Sequence, residues 1–372
     1  MIELATKTIT DETRMGIHND ASVTTGGSLE RFPASYASAI RTAPAVSFHA
    51  MPAPPDTATI GWLLDSDPSI RFQTLRDLED APAEVVSAER ARVAQEGWGA
   101  RLLARQAPDG NFGDGVATPH WRSNLYTLLL LRHLGVDPRS EPVLEAIALV
   151  RDRVDWGEEW GHAPFFEGEV EPCINGGVLA LGAYFGEVSD RLLERLLSEQ
   201  LEDGGWNCEA ERGSTRSSFH TTICVLEGLL EYERARGVQP AVTRARMRGQ
   251  EYLLERRLLR RLSTGELISP RKGGKPTPSW ARFTFPPMWQ YDALRALDYL
   301  RSAGARPDER TAEAVALVAS RSQPDGRWLL DQSPRDVFDG DLEGGPGEPS
   351  RWITLRALRV LRWHSPERSF GP

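Results

Sequence analysis

From Trp62 onward the chain alternates two hydrophobic patterns. One kind runs apolar almost all round, in stretches opening near residues 71, 122, 173, 220, 289 and 352, as in Trp121-Arg-Ser-Asn-Leu-Tyr-Thr-Leu-Leu-Leu-Leu131. Helices apolar on most sides belong in an interior. The other kind is amphipathic with one charged face, as in Asp190–Gln200 and Glu309–Val318, and predicts an outer layer. The first four inner starts lie 51, 51 and 47 residues apart, and the last two gaps stretch to 69 and 63. Helix pairs at a near-fixed period signal a repeat architecture. Six inner helices, most with an outer partner, predict an all-α fold closed into a ring.

Three of the outer stretches end in one signature: Gln106-Ala-Pro-Asp-Gly-Asn-Phe112, Gln200-Leu-Glu-Asp-Gly-Gly-Trp206 and Gln323-Pro-Asp-Gly-Arg-Trp328. The glycine supplies the left-handed conformation of a helix exit, and the aromatic folds back over the helix just ended. The third copy departs, with Gln323 two residues before its Asp and not three. These turns resemble the Gln–Trp repeat of squalene–hopene and oxidosqualene cyclases and the related turns of protein prenyltransferase beta subunits. That resemblance covers residues 62–366 and implies an α/α toroid of six helical hairpins, one domain over 55–366. Trp206, Trp328 and Phe112 are read as clamps between hairpins, with no chemistry.

Two of the 3 cysteines fall where helix starts and turns meet: Glu171-Pro-Cys173, and Cys208 just after Gly-Gly-Trp206. Phe219-His220-Thr-Thr then opens an apolar helix. Carboxylate, thiolate and neutral imidazole are donors that zinc takes, and Cys173 and His220 stand at matching places in consecutive repeats. Prenyltransferase beta subunits bind zinc through Asp-x-Cys and a His in Phe/Tyr-His-Thr, so the resemblance implies Glu171, Cys173 and His220 as ligands. The acid here is Glu, not Asp, and Cys208 is an addition, giving a Cys-Cys-His set with Glu171 either as fourth ligand or hydrogen-bonded behind the ligands. Cys224, one turn after His220, is read as core. Zinc is the expected cofactor, serving to activate a bound thiol or water.

The resemblance also implies departures. Squalene–hopene cyclases protonate an alkene with Asp-x-Asp-Asp; this chain offers only Asp65-Ser-Asp67 and Asp339-Gly-Asp341. Prenyltransferases hold a diphosphate with basic residues near Asp-x-Cys, whereas residues 160–171 contain no Arg or Lys. Arg122, Arg216, Arg282 and Arg351 remain as anion binders at the mouth, with the Arg271–Lys275 loop. Trp121, Trp289 and Trp352 at inner-helix starts make an aromatic mouth suited to an apolar, isoprenoid-like ligand. Asp292 beside Tyr291 is the candidate general acid or base.

Composition narrows the rest. The formal charge of −9 argues against a nucleic-acid partner. Three widely spaced cysteines make no disulfide framework, and no apolar run of membrane-spanning length occurs, so a cytoplasmic protein is expected. Residues 1–54 lack any sustained period and are expected to be disordered or loosely packed. Met51, ahead of Pro-Ala-Pro-Pro55, is an alternative start to Met1. Residues 367–372 form a tail. The expected protein is a zinc-dependent, transferase-like toroid acting on an apolar isoprenoid ligand, alone or with a separate partner chain. The alternatives are a metal-independent terpene cyclase-like enzyme and a non-catalytic lipid- or partner-binding toroid.

Overall fold

The computed structural model describes residues 57–113, 115–117, 122–268, 271–272, 275–276, 279–333 and 342–365. The N-terminal extension, the tail, Trp121 and Asp339-Gly-Asp341 lie outside them, as do the side chains of the Arg271–Lys275 loop. Among the described residues, thirteen α-helices alternate between an inner and an outer layer. The inner set is α2 (Pro68–Asp77), α5 (Asn124–Leu134), α7 (Pro172–Phe185), α9 (Phe219–Arg236), α11 (Ala293–Ser302) and α13 (Arg351–His364). Each begins within four residues of its expected start. The outer set is α1 (Thr57–Leu64), α3 (Ala83–Ala91) with α4 (Gly97–Leu103), α6 (Glu141–Arg153), α8 (Asp190–Ser198), α10 (Pro240–Glu255) and α12 (Ala312–Ser320). Short 3₁₀ turns and two short antiparallel pairs accompany the helices: β1 (Arg271–Lys272) with β2 (Lys275–Pro276), and β3 (Trp328–Leu329) with β4 (Pro349–Ser350).

Consecutive inner helices touch around a closed circuit. Gln73 of α2 donates to the carbonyl of His133 on α5 at 3.2 Å, and α5 packs on α7. The α7–α9 contact is backbone-close because a Cβ on Gly176 would fall 2.6 Å from the Cys224 carbonyl carbon. Arg295 of α11 grips Glu227 of α9 through both carboxylate oxygens, at 2.8 and 2.9 Å. The last helix returns to the first: Arg359 of α13 donates to Gln73 at 2.8 Å. Arg351 donates to the carbonyls of Trp62 and Asp65 and lies over the Trp62 ring. This seam between residues nearly 300 apart makes the architecture an α/α toroid.

The signature turns work as their residues predict, with an added partner. Gly204 has φ +96°, and a Cβ there would meet the Arg248 carbonyl oxygen at 2.7 Å, so the turn needs glycine. Trp206, fully buried, donates its indole N–H to Leu196 of α8 at 2.6 Å, and Trp328 does the same to Val318 of α12 at 2.8 Å. Each aromatic also donates its backbone N–H to a polar residue on the next inner helix: Phe112 to Asn124, Trp206 to Thr222 and Trp328 to Thr354. Gln106 and Gln200 staple the turn across to α6 and α10, reaching Ala146 and Ala245 carbonyls at 2.8 Å. In the third turn Gln323 takes the turn-opening place held elsewhere by Ala107 and Leu201. Its amide donates to the Arg321 carbonyl, and Thr59 of α1 bonds the Asp325 carbonyl. The shifted glutamine belongs to the turn where the ring is sealed.

One correction concerns the ring interior. The inner helices are not apolar all round; towards their C-terminal halves they bury charge. Asp298 of α11 faces Arg301, Arg356 and Arg359, and Arg359 also meets Asp77 of α2 at 3.2 Å. Arg132 of α5 pairs with Glu231 at 3.2 Å. Burial alone would raise the Glu227 carboxyl, but the Arg295 and Arg132 guanidiniums hold it down at about 2. Burial lowers Arg359 to about 10 despite Asp77 and Asp298, and burial with Arg132 lowers His133 to about 3.

Candidate functional site

The other end of the ring, where inner helices begin, carries the candidate chemistry. Five inner helices start with a side-chain cap: Asp67, Ser123, Ser218, Asp292 and Ser350 each accept a backbone N–H of the first turn. This satisfies one of the orphan donors of a helix start. The exception is α7, whose N-cap Glu171 makes no side-chain cap bond. The Glu171 carboxylate is turned towards another partner. It faces Cys173, whose Sγ lies 3.7 Å from Glu171 Oε2.

Glu171, Cys173 and Cys208 each present one donor atom within 4.8 Å of the others. Cys208 opens a 3₁₀ turn, Cys208–Arg212, after the Trp206 clamp, and its Sγ lies 3.4 Å from Thr221 Oγ1 on α9. The loop bearing Glu171 is held from both sides. Asn175 exchanges two hydrogen bonds with Glu169, at 2.8 and 3.0 Å, and Arg195 of α8 grips the carbonyls of Glu169 and Val170. Hydrogen bonding to Cys208, together with burial, pushes the Cys173 thiol well above its ordinary range. Burial pushes the neighbouring Glu169 carboxyl up to about 7 against the pull of two backbone N–H groups.

His220 is not brought into this cluster. Its Nδ1 accepts the Tyr291 backbone N–H at 2.8 Å, so in the neutral ring Nε2 carries the proton and has no lone pair for a metal. Burial lowers the imidazole to about 4, which keeps it neutral. A metal-bound histidine instead donates its second N–H to an acceptor. Trp289, half-buried, stands edge-on to His220 with ring centres 5.0 Å apart. Cys224 is core, as expected, between the Trp289 carbonyl and Arg295.

The candidate catalytic pair is buried and well bonded. Asp292 caps α11, accepting from Arg295 N at 2.7 Å and Thr284 N at 3.3 Å. Burial raises its carboxyl above the ordinary aspartate range, although Arg356 and the two backbone bonds pull downward. Tyr291 donates its hydroxyl to the Leu258 carbonyl at 2.8 Å. Of the mouth residues, Arg351 is bonded into the ring seam. Trp352 is buried and stacked on Phe285 at 4.4 Å and 9°. Arg216 is exposed and Arg122 half-buried. A second aromatic group joins Phe219, Trp280, Tyr291 and Tyr252, with Phe219 and Trp280 centres 4.4 Å apart. Sequence reading had not singled out Tyr126 of α5, whose phenol is raised by burial and by its proximity to Cys173, Cys224 and Glu171. Its placement two residues after the Asn124 clamp of Phe112 was the available signal.

No family model matches the chain, and no curated protein matches it. Among solved structures it is similar to the type II terpene cyclase MstE from Scytonema in its apo form. They are 17% identical, with 87% of this chain and 94% of that chain covered and a TM-score of 0.41. A variant of the same cyclase in complex with geranylgeranyl dihydroxybenzoate, its substrate, is 16% identical. The match covers 80% and 87% of the two chains at a TM-score of 0.38. The architecture assigned to this chain stands on its own ring closure.

Proposed function

We propose that the protein is a terpene cyclase-like enzyme that binds an apolar isoprenoid chain at the end of the ring where the inner helices begin. The observation that carries this reading is Asp292, a carboxyl whose burial raises its pKa, beside Tyr291 and near the Trp280–Phe219 group. Burial favours the protonated form of such a carboxyl, which is the form that donates a proton. Asp292 would protonate a terminal alkene, and the π electrons of the next alkene would close on the resulting cation. Loss of a proton from a neighbouring carbon to water would give a neutral product, and a proton taken up from water would restore the Asp292 acid. Aromatic faces stabilise such a cation. The lack of basic residues before Cys173 argues further against diphosphate transfer.

The test is incubation with a geranylgeranyl chain on dihydroxybenzoate, and with squalene, followed by chromatography for isomeric products of unchanged mass. Product is expected from the native protein and from Cys173→Ala, with loss of about 100-fold or more in Asp292→Asn. No product from either compound would overturn the reading.

A second reading is favoured by the donor cluster. Two thiols and a carboxylate fit zinc chemically. Glu171, Cys173 and Cys208 would hold the ion, which would supply an activated thiol or water when bound. Elemental analysis of untagged protein would give one zinc per chain, lost in Cys173→Ala and kept in His220→Ala. Metal-free protein throughout would remove this reading.

A further inference from the structure

We infer that Cys173 and Cys208 form a reversible intramolecular disulfide by exchange with a small-molecule disulfide, making this corner of the ring a redox modification site. The inference stands on the thiol pair itself and does not require either reading above. The two sulfurs lie within 4.8 Å of each other. A disulfide needs about 2.0 Å, a gap to be closed by rotation of Cys208 in its short 3₁₀ turn.

The pair is unequal in a way that orders the chemistry. Cys208 is half-buried and Cys173 buried at the start of α7, so an incoming disulfide reaches Cys208 first. The Cys208 thiolate attacks one sulfur of glutathione disulfide, forming a Cys208–glutathione mixed disulfide and releasing one glutathione thiolate. Cys173 then attacks the Cys208 sulfur, its proton passing to the Glu171 carboxylate it already faces at 3.7 Å. The second glutathione leaves as thiolate and takes up that proton. Two protein thiols are oxidised to one disulfide while one glutathione disulfide is reduced to two thiols, which balances the exchange. Cys224 is excluded as a partner because the Trp289 carbonyl and the Arg295 guanidinium occupy its sulfur. Bridge and metal are mutually exclusive, since both use the same sulfurs.

The experiment treats full-length protein with glutathione disulfide, with and without prior chelation, quenches with acid, and reads intact mass and cross-linked peptides. The expected product is about 2 Da lighter, links Cys173 to Cys208, leaves Cys224 as thiol, and returns to the starting mass with dithiothreitol. Cys173→Ser should stop at one bound glutathione on Cys208. Glu171→Gln should slow conversion of the mixed disulfide about tenfold or more without changing its end point. A bridge in chelated protein alone supports the inference and shows that metal protects the pair; a bridge in both samples supports it without metal. Chelated protein that stays reduced, halts at the mixed disulfide or links Cys224 overturns it. The metal reading stands or falls separately on elemental content.

Discussion

The two ends of the inner ring are built from the same six helices and differ in what they leave unfinished. From the middle of the helices onward, Asp77, Arg132, Glu227, Asp298 and Arg359 pair across five helices, joined by Arg295 from the first turn of α11. The sixth helix, α7, contributes small residues such as Gly176 and Ala180. Arg295 is saturated, since it also donates to the carbonyls of Met288 and Gln290. At the N-terminal ends, by contrast, Glu171 is excused from capping, two thiols face it, and a carboxyl raised by burial sits at the start of α11. One end fixes which helices are neighbours, and the other holds groups whose protonation and bonding can change.

The largest effect should come from the closed end. Glu227→Gln strands the Arg295 guanidinium in the interior, and breaking a buried pair this way costs about 3–5 kcal/mol. Urea unfolding followed by circular dichroism would measure it, and a variant as stable as the native protein would erase the distinction between the ends. Acid should act on the same groups. Glu227 is held at about 2 against an ordinary 4.5, so its contribution is present above pH 4.5 and is lost as pH falls towards 2. His133, lowered to about 3 from 6.5, adds a loss that begins below 6.5. Unfolding midpoints from pH 7 to pH 3 should fall, with a shallower decline in Glu227→Gln.

Effects at the open end should be smaller. Asp292→Ala removes the α11 cap and should cost about 1–2 kcal/mol, whereas Asn keeps the cap and most of the stability. Equal losses in the two variants would mean that capping is not what Asp292 does for the fold. Cys173→Ser should be smallest, within about 1 kcal/mol. A loss as large as that of Glu227→Gln would make the thiol cluster part of the frame.

Much of the ring was legible because each hairpin announces itself. A signature turn closes the outer helix, and a nearly unbroken apolar run opens the inner one. The cluster of Glu171, Cys173 and Cys208 was legible too, because local spacing put those donors at a helix start and in the adjoining turn. The buried charges were not, although Arg356 with Arg359 and Glu227 with Glu231 stood at helical spacing. A charge on an apolar helix looks like an exposed face until its partner, on another helix, is known. The orientation of His220 was hidden for a similar reason: the backbone N–H that fixes its ring belongs to Tyr291, 71 residues later. The place of Arg351 over Trp62 was hidden as well, because nothing nearby in the chain reveals it.

The seam at Arg351 and Arg359 sets an order of assembly during synthesis. Trp62, Asp65 and Gln73 emerge from the ribosome early, yet their partners on α13 follow some 286 to 289 residues later. At roughly 5–20 residues per second, α1 and α2 wait on the order of 15–60 s with one flank uncovered. Hairpins between them can pair in sequence as they appear, since each needs only its predecessor. Growth is therefore that of an open spiral, and the final helix converts it to a circle in one step.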